Sequence, residues 1–514
     1  MISTSLIHQG LGFYYSRAEK SFRTKLKNLE QVQRAKLAET MDYLATTRMW
    51  GEISSQSYER LADKIPLRDY SEYHSLIEAQ RKQESGILCP DVTRYEPTSG
   101  STSARKWIPY SPQFLSDINK AAAVWMGDLY QSVPGVKNGP HYWSLSWLPQ
   151  ELRNLTSSDD SELFPWWQQV FLKNFMAAPG SLALAPSSEA AWRASLAYLF
   201  SQKELALISV WSPSFLLKIA EDLQNLHSEI QRDLSSGSWG AYSKDLSSLI
   251  APPAARADYD DIKSAKTPQE FLHKVWPNLA LVSSWDSAQS KLWAQDIKSL
   301  FPKVAFQGKG LWATEGVVSF PYQNQKILAM ESHFFEFKCL ASGKVLPSWK
   351  LEKDQEVQPI LWTSSGFLRY PLQDKMKVTG FIEETPTFEF MGRLQGVDMV
   401  GEKMDSATAS QILEVLQKEF HCEPICLLAV QNPKPYYLLT TRKQVPDLNK
   451  KVENVLQEYH HYKVARELGQ LQASRVQVVA DIHAFWDKTN KSQIKGQNKI
   501  ESLRLVETWD LGDN

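Results

Sequence analysis

Leu205-Ala-Leu-Ile-Ser-Val-Trp211 is a short apolar run between two stretches of helical spacing, 186–202 and 213–233. So short a run, carrying β-branched and aromatic residues, reads as a strand buried on both faces. The pattern recurs. Leu279-Ala-Leu-Val-Ser-Ser-Trp285 precedes a helical stretch that ends at Leu300, and Val304-Ala-Phe306 follows, just before Gly308 and Gly310. Apolar strands alternating with helices specify an α/β core, because the helices cover the two faces of a sheet that shows no polar side.

Outward from this core the texture changes twice. Upstream, residues 21–49 place Leu26, Leu29, Val32, Leu37, Met41 and Leu44 at helical spacing, which predicts one amphipathic helix. A further helix is expected over 113–132, and 234–262 reads as surface helix and loop. Downstream, 327–393 turns to β, with alternation in His333-Phe-Phe-Glu-Phe-Lys338 and Thr387-Phe-Glu-Phe390. After Gly392-Arg393 the pattern predicts a helix over 405–420, paired strands over 425–430 and 436–441, a long helix over 445–468, a strand over 476–479 and a short helix over 482–489. That is a compact α+β unit of roughly 115 residues, an ordinary domain size. The reading is therefore two domains, 1–395 and 396–514.

Composition narrows the function classes. A chain of 514 residues is too long for one ordinary core. Hydrophobic content of 43% and charged content of 22% are those of a globular protein, and a net charge of -1 supplies no field to hold nucleic acid or an anionic membrane. There is no apolar run of about 18 residues to span a bilayer. The N-terminal Met-Ile-Ser-Thr-Ser-Leu-Ile-His lacks the basic region of a secretory signal. Cys89, Cys339, Cys422 and Cys426 make no disulfide framework for so long a chain, which points to a reducing compartment, the cytoplasm. Cys422 and Cys426 lack the companion ligands of a closed zinc site.

Four segments carry possible chemistry. Thr98-Ser-Gly-Ser-Thr-Ser103, followed by Arg105 and Lys106, concentrates hydroxyl and backbone donors with positive charge, as a triphosphate requires. It is not a Walker A loop, and by composition alone a polar surface turn is the more ordinary reading. Ala313-Thr-Glu-Gly316 follows a strand and a glycine-containing loop, where α/β enzymes place ligand contacts; its carboxylate suits a hard cation such as Mg²⁺, although a plain turn explains it as well. Asp374 closes a short β segment, Gly366-Phe-Leu-Arg-Tyr-Pro-Leu-Gln-Asp374, and a carboxylate there can accept both hydroxyls of a ribose or simply end a strand. Lys495 sits in Ser492-Gln-Ile-Lys-Gly-Gln-Asn-Lys499, either an exposed loop lysine or a cation for a transferring phosphoryl group. Among 18 tryptophans, Trp143, Trp147, Trp211 and Trp285 lie near apolar strands, as core residues first or as a wall for an apolar substrate; Trp143, Trp211 and Trp285 are the substrate-wall candidates.

The order and spacing of these segments resemble the Gretchen Hagen (auxin-responsive) family of acyl acid amido synthetases, within the adenylate-forming superfamily, over nearly the whole chain. The resemblance runs through Thr98–Lys106, Gly310-Leu-Trp-Ala-Thr-Glu-Gly316, His333-Phe-Phe-Glu-Phe337, Phe367-Leu-Arg-Tyr-Pro-Leu-Gln-Asp374, Val378-Thr-Gly-Phe381, Gly392-Arg393, His461-Tyr-Lys-Val-Ala-Arg466 and Gln493-Ile-Lys495. Its Thr-Glu-Gly wording is similar to the bacterial branch.

The resemblance implies a large N-terminal adenylate-forming α/β domain, with mixed sheets, flanking helices and a β subdomain, and a small mobile α+β C-terminal domain. It implies ATP and Mg²⁺ as cofactors and a small carboxylic acid and an amino acid as substrates. Thr98, Ser99, Gly100, Ser101, Thr102, Ser103 and Lys106 would hold phosphates. Thr314 and Glu315 would sit at the α-phosphate and Mg²⁺, with Trp312 and Ala313 beside them. Asp374 would bind ribose, Arg393 would stand at the nucleotide and near the hinge, and Lys495 would reach the phosphate and acyl oxygen on closure.

The chain departs from the pattern at Pro371, at Gln373, at Leu311 (where relatives often carry the adenine-stacking tyrosine, with Trp312 as substitute) and at Gly496-Gln497, which leaves Lys499 as the reserve lysine. The product could also be a thioester of coenzyme A, or the fold a catalytically degenerate adenylate binder. Oligomeric state is not legible.

Overall fold

The computed structural model describes residues 4–53, 56–82, 86–97, 106–144, 175–288, 290–394, 396–397, 399–400, 402, 404–432, 434–467, 469–482, 485 and 501–509. Helices α1 (Thr4–Lys25) and α2 (Leu29–Leu44) open the chain. The single helix expected over 21–49 is thus two. The break falls where the Leu26 carbonyl leaves the helical ladder and accepts from Glu384 N–H and, at 3.1 Å, from Thr385 Oγ1. A tertiary partner outbid the helical one at that carbonyl, which no local propensity records. Helices α3 (Tyr58–Lys64) and α4 (Tyr70–Arg81) follow, α4 held at its start by a capping box of Asp69 and Glu72. Strands β1 (Arg94–Pro97) and β2 (Trp107–Tyr110) form an antiparallel hairpin, and α5 (Pro112–Ser132) starts under Ser111, whose Oγ accepts from Phe114 N–H.

The α/β core is a four-stranded parallel sheet in the order β3 (His141–Trp143), β4 (Leu207–Ser209), β5 (Leu281–Ser284), β6 (Ala305–Gly308). The three apolar runs supply β4, β5 and β6. The edge strand β3 was not anticipated, since His-Tyr-Trp carries no apolar run. Connecting helices Ser188–Ser201, Pro213–Ser235 and Ser290–Leu300 match the expected ones. Leu199, Leu205, Ile208, Leu216, Val282 and Ile297 are fully buried between sheet and helices.

Two short strands, β7 (Trp312–Ala313) and β8 (Gly316–Val317), lead into an eight-stranded sheet. Its path runs β12 (Val345–Pro347), β11 (Phe334–Cys339), β13 (Glu356–Trp362), β15 (Asp374–Ile382), β16 (Thr385–Arg393), β10 (Gln325–Leu328), β9 (Ser319–Tyr322), and β14 (Tyr370–Pro371) pairs with β13. Phe334, Phe335 and Phe337 are fully buried; removing each from water is worth about 1.5–3 kcal/mol. The carboxylate of Glu336 lies in the same strand at 0% exposure. It accepts from Arg369 Nε at 2.9 Å and Arg369 Nη2 at 3.2 Å, from Trp362 Nε1 at 2.8 Å and from the Tyr58 hydroxyl at 3.0 Å. Arg369 Nη1 also donates to the carbonyls of Ala62 and Ile65 at 2.6 and 2.9 Å. A second buried ion pair, Lys36 with Asp117, ties α2 to α5, and Ser364 Oγ donates to Asp117 at 2.8 Å.

Residues after Arg393 build a four-stranded mixed sheet, β19 (Arg475–Val478), β18 (Tyr436–Thr441), β17 (Pro424–Val430), β20 (Leu503–Val506). Strand β17 is buried along its whole length. Leu427 and Ala429 face a core of residues drawn from 397 to 503, whereas Cys426, Leu428 and Val430 face a second cluster that includes Trp293. The long helix expected over 445–468 is two, Leu448–Gln457 and His460–Glu467. The short helix expected over 482–489 lies almost wholly outside the described residues. The helix Ser290–Leu300 meets this unit through Trp293 and through Asp296, which accepts from Arg442 at 2.7 Å while that guanidinium stacks 4.4 Å from the Trp293 ring. Among the described residues, no helix is long and apolar enough to cross a membrane.

Removing Glu336 leaves the partly buried Arg369 guanidinium without its counter-charge, so Glu336→Ala is expected to destabilise the fold by about 3–5 kcal/mol. Urea denaturation followed by tryptophan fluorescence measures this, and an unchanged midpoint would show that the pair does not carry the load assigned to it.

Candidate active site

The hydroxyl-rich segment lies in the chain between β1 and β2. Pro97 pairs with Trp107, so the ends of 98–106 are held together at the base. Thr98, Ser99, Gly100, Ser101, Thr102 and Ser103 lie outside the described residues. Lys106 is described, its Nζ 5.5 Å from the Tyr70 ring. The base is anchored where Trp107 N–H donates to the Tyr70 hydroxyl at 2.6 Å and Arg81 stacks 4.4 Å from the Trp107 ring.

The far end of the hairpin touches the second segment. Tyr110 donates its hydroxyl to the Thr314 carbonyl at 3.0 Å. Thr314 and Glu315 are the two turn residues between β7 and β8, because Ala313 pairs with Gly316 and Trp312 with Val317. Gly316 closes this turn at φ +156°, and a Cβ there would stand 2.9 Å from His333 Nε2. Glycine is required on both counts. His333 is fully buried and stacked on Phe114. Burial, reinforced by Lys36 and Lys120, drives its pKa well below the usual value, so the ring stays neutral. Neither ring nitrogen has a hydrogen-bond partner among the described residues.

Glu315 connects in turn to the third segment. The Tyr370 hydroxyl donates to Glu315 Oε1 at 3.3 Å. Burial first, and the Glu315 charge second, raise the pKa of Tyr370, which keeps it a donor. The stretch from Phe367 to Asp374 is held on every side: Tyr73 O–H donates to the Leu368 carbonyl at 2.7 Å, Arg369 reaches Glu336, and Gln358 Nε2 donates to the Leu372 carbonyl at 2.8 Å. Asp374 opens β15 instead of closing a short strand, and it is 7% exposed. It pairs across the sheet with Arg393, whose Nε is 3.9 Å from Asp374 Oδ1. The structure thus brings Tyr110, Thr314, Glu315, Tyr370 and the Asp374–Arg393 pair into one connected series. Lys495 and Lys499 lie outside the described residues.

A chamber adjoins this series at the carboxyl ends of the parallel strands, where open α/β sheets bind ligands. Trp312 faces it, with ring centroids 6.0 Å from Trp125 and 6.2 Å from Trp211. Trp143 and Trp211 line it, and Trp285 backs Trp211 at 5.6 Å. Of the tryptophans singled out in the sequence, Trp143 and Trp211 thus line the chamber, Trp285 stands behind Trp211, and Trp147 lies outside the described residues. Other lining residues were missed, among them Trp125, Ser209 and Lys309. Lys309 follows directly on β6, and position after a strand end is the signal that would have found it.

Residues 18–306 match the model of the GH3 family N-terminal domain, and residues 326–393 match that of the GH3 family central domain. Among curated relatives, the indole-3-acetic acid-amido synthetase GH3.6 of Arabidopsis thaliana is 22% identical over 420 residues, 71% of this chain and 68% of that one. Its paralogue GH3.2 is 21% identical over 79% of this chain and 81% of its own. Among solved structures, the GH3.15 acyl acid amido synthetase superposes with a TM-score of 0.80 at 15% identity, covering 95% of this chain and 94% of its own. A 2-hydroxyisobutyryl-CoA ligase superposes with a TM-score of 0.50 at 11% identity, over 93% and 88%. With these matches and the motif order seen in the structure, the chain belongs to the GH3 family and carries the adenylate-forming fold.

Proposed function

We propose that this chain is an ATP-dependent ligase that activates a small carboxylic acid as its acyl-adenylate and transfers the acyl group to the amine of an amino acid. The observation that carries the reading is that Tyr110 and Tyr370 hydrogen-bond to Thr314 and Glu315 beside the tryptophan chamber, and that the chain runs on from Tyr370 within four residues to the buried Asp374 and its partner Arg393. Asp374, buried beside Arg393, is suited to accept from the ribose hydroxyls. Glu315 takes a side-chain hydrogen bond only from Tyr370 among the described residues, so its second oxygen fits a hard cation. Mg²⁺ held there would neutralise phosphate charge.

The residues themselves do the positioning. Tyr110 and Tyr370 fix the Thr314–Glu315 turn, and His333 behind Gly316 blocks its retreat. Lys106 and the hydroxyls of Thr98, Ser99, Ser101, Thr102 and Ser103 would hold the phosphates, leaving the α-phosphate open to attack by the carboxylate held at the chamber mouth. Expulsion of pyrophosphate leaves the mixed anhydride, and attack of an amine on its carbonyl releases AMP and gives the amide. Lys495 would offset charge at the phosphate and acyl oxygen. We place the hinge of the C-terminal unit at Arg393–Gly396, with domains 1–395 and 396–514. Rotation would then break the Arg442–Asp296 and Arg442–Trp293 contacts. Four buried free thiols suit a reducing compartment, and we place the protein in the cytoplasm.

Acid-dependent exchange of pyrophosphate into ATP, with mass analysis of products formed from an amino acid or from coenzyme A, tests the reading. An amide is expected; exchange with thioester only would make the chain an acyl-CoA ligase, and no exchange with any acid would overturn the reading. Asp374→Ala is expected to weaken ATP binding roughly tenfold to a hundredfold, as charge-assisted hydrogen bonds are lost; equal affinity by calorimetry would remove Asp374 from the ribose. Lys495→Ala is expected to slow adenylation by about 10²–10³ with little change in ATP affinity. Wild-type exchange rates in that variant would move the role to Lys499.

A further inference from the structure

His333 puts two polar atoms where the fold gives them nothing to bond. The residue is fully buried, and neither Nδ1 nor Nε2 has a partner among the described residues. The rings around it are apolar: it stacks on Phe114 at 5.4 Å, and Phe335 stands edge-on at 6.0 Å. A donor or acceptor left unmet in such a place has given up its water for nothing, which lowers stability. A phenylalanine has nearly the same shape and none of that cost. A buried polar group kept against stability calls for a reason of its own.

The direction of the ring supplies one. A Cβ on Gly316 would stand 2.9 Å from Nε2 and 3.1 Å from Cδ2 of His333, so the end of the Thr314–Glu315 turn lies against this edge of the imidazole. The turn itself is held by two hydroxyls, Tyr110 on the Thr314 carbonyl at 3.0 Å and Tyr370 on the Glu315 carboxylate at 3.3 Å. The second bond is long for an O–H donor and easily exchanged. On the ligase reading, Mg²⁺ and the α-phosphate engage these same turn residues. Drawing Glu315 off Tyr370 leaves the peptide between Glu315 and Gly316 free to rotate beside the ring, because Gly316 has no Cβ to obstruct it. That peptide carries both a carbonyl and an N–H, so it can meet Nε2 in either tautomer. We propose that His333 is a positioning residue for adenylation: with Mg²⁺ and ATP bound, Nε2 forms a hydrogen bond to the Glu315–Gly316 peptide, and that bond holds the turn at the α-phosphate. The inference rests on the ligase reading.

The alternative is an ordered water. Continuing the β11–β13 ladder one step past the Phe334–Trp362 pair sets Thr363 opposite His333, and Thr363 Oγ1 is likewise buried without a partner. A water bridging the two would satisfy the ring in every state and give it no part in the reaction. The test follows the ring nitrogens of ¹⁵N-labelled histidine in the full chain, with and without Mg²⁺ and α,β-methylene-ATP, the His333 signals being those lost in His333→Gln. A shift of the Nε2 signal on nucleotide binding is expected, and an unmoved signal overturns the inference. Acid-driven exchange of pyrophosphate into ATP and ATP affinity by calorimetry are measured alongside. His333→Phe is expected to raise Tm, to slow exchange roughly tenfold to a hundredfold as the turn loses its placement, and to change ATP affinity little. His333→Gln, whose amide reaches the Nε2 position, is expected to restore most of the rate. A wild-type rate in His333→Phe, or equal losses in both variants, would overturn the inference and leave His333 a packing residue. Should His333→Phe fail to fold, the wild-type signal and His333→Gln carry the test. If no acid drives exchange in the wild type, the ligase reading falls by itself, and the response of Nε2 to Mg²⁺ and α,β-methylene-ATP still decides whether His333 holds the turn.

Discussion

The carboxylate of Glu336, buried in the middle of a phenylalanine-rich strand, accepts four hydrogen bonds, two of them from the Nε–Nη2 edge of the Arg369 guanidinium. This arrangement is costly to bury and stable only as a complete set, since either charge alone would be uncompensated. Its geometric effect is larger than its net energy. Arg369 has φ +56°, a conformation rare outside glycine, and it is followed at once by Tyr370 and, four residues on, by Asp374. The ion pair therefore fixes the phase of the segment that brings the Tyr370 hydroxyl to Glu315 and sets Asp374 at the head of β15. The same Arg369 donates to the carbonyls that end α3, so the helical layer, the large sheet and the polar series share one node.

Around that node the two sheets divide the work. The large antiparallel sheet and its short hairpins carry the polar groups suited to a nucleotide. The parallel sheet ends in the tryptophan chamber. Trp312 belongs to both, because β7 begins where the loop from β6 arrives. Within five residues of the end of β6 the chain passes Lys309, Trp312 and Ala313. A buried cation, an aromatic wall and the start of the Thr314–Glu315 turn are thus spaced by backbone geometry and not by flexible side chains, which favours precision at the site.

Much of the fold was legible because the signals were local. The apolar runs at 205–211, 279–285 and 304–306 became β4, β5 and β6, and the helices between them fell where their spacing put them. The failures share a cause. The break at Leu26 is made by a carbonyl bonded to residues more than three hundred positions away. Strand β3 is an edge held by β4 and not by its own apolarity. For the site, the donor-rich run at 98–103 and the Thr-Glu pair at 314–315 were visible as local turn chemistry. Glu336, in contrast, was visible only as a polar interruption in an alternating strand, and nothing local tied it to Arg369.

The sequence by itself determined the α/β class, the change of texture after Arg393, the order of the polar segments and, through that order, the family. These depend on hydrophobic period, on turn residues and on spacing along the chain, all of which are properties of neighbours. Only the tertiary structure decided which charges are buried, which tyrosines orient the Thr314–Glu315 turn, and that Lys309 stands inside a cage of indoles. Those facts arise from residues far apart in sequence whose desolvation and partners exist only once the sheets and helices have packed.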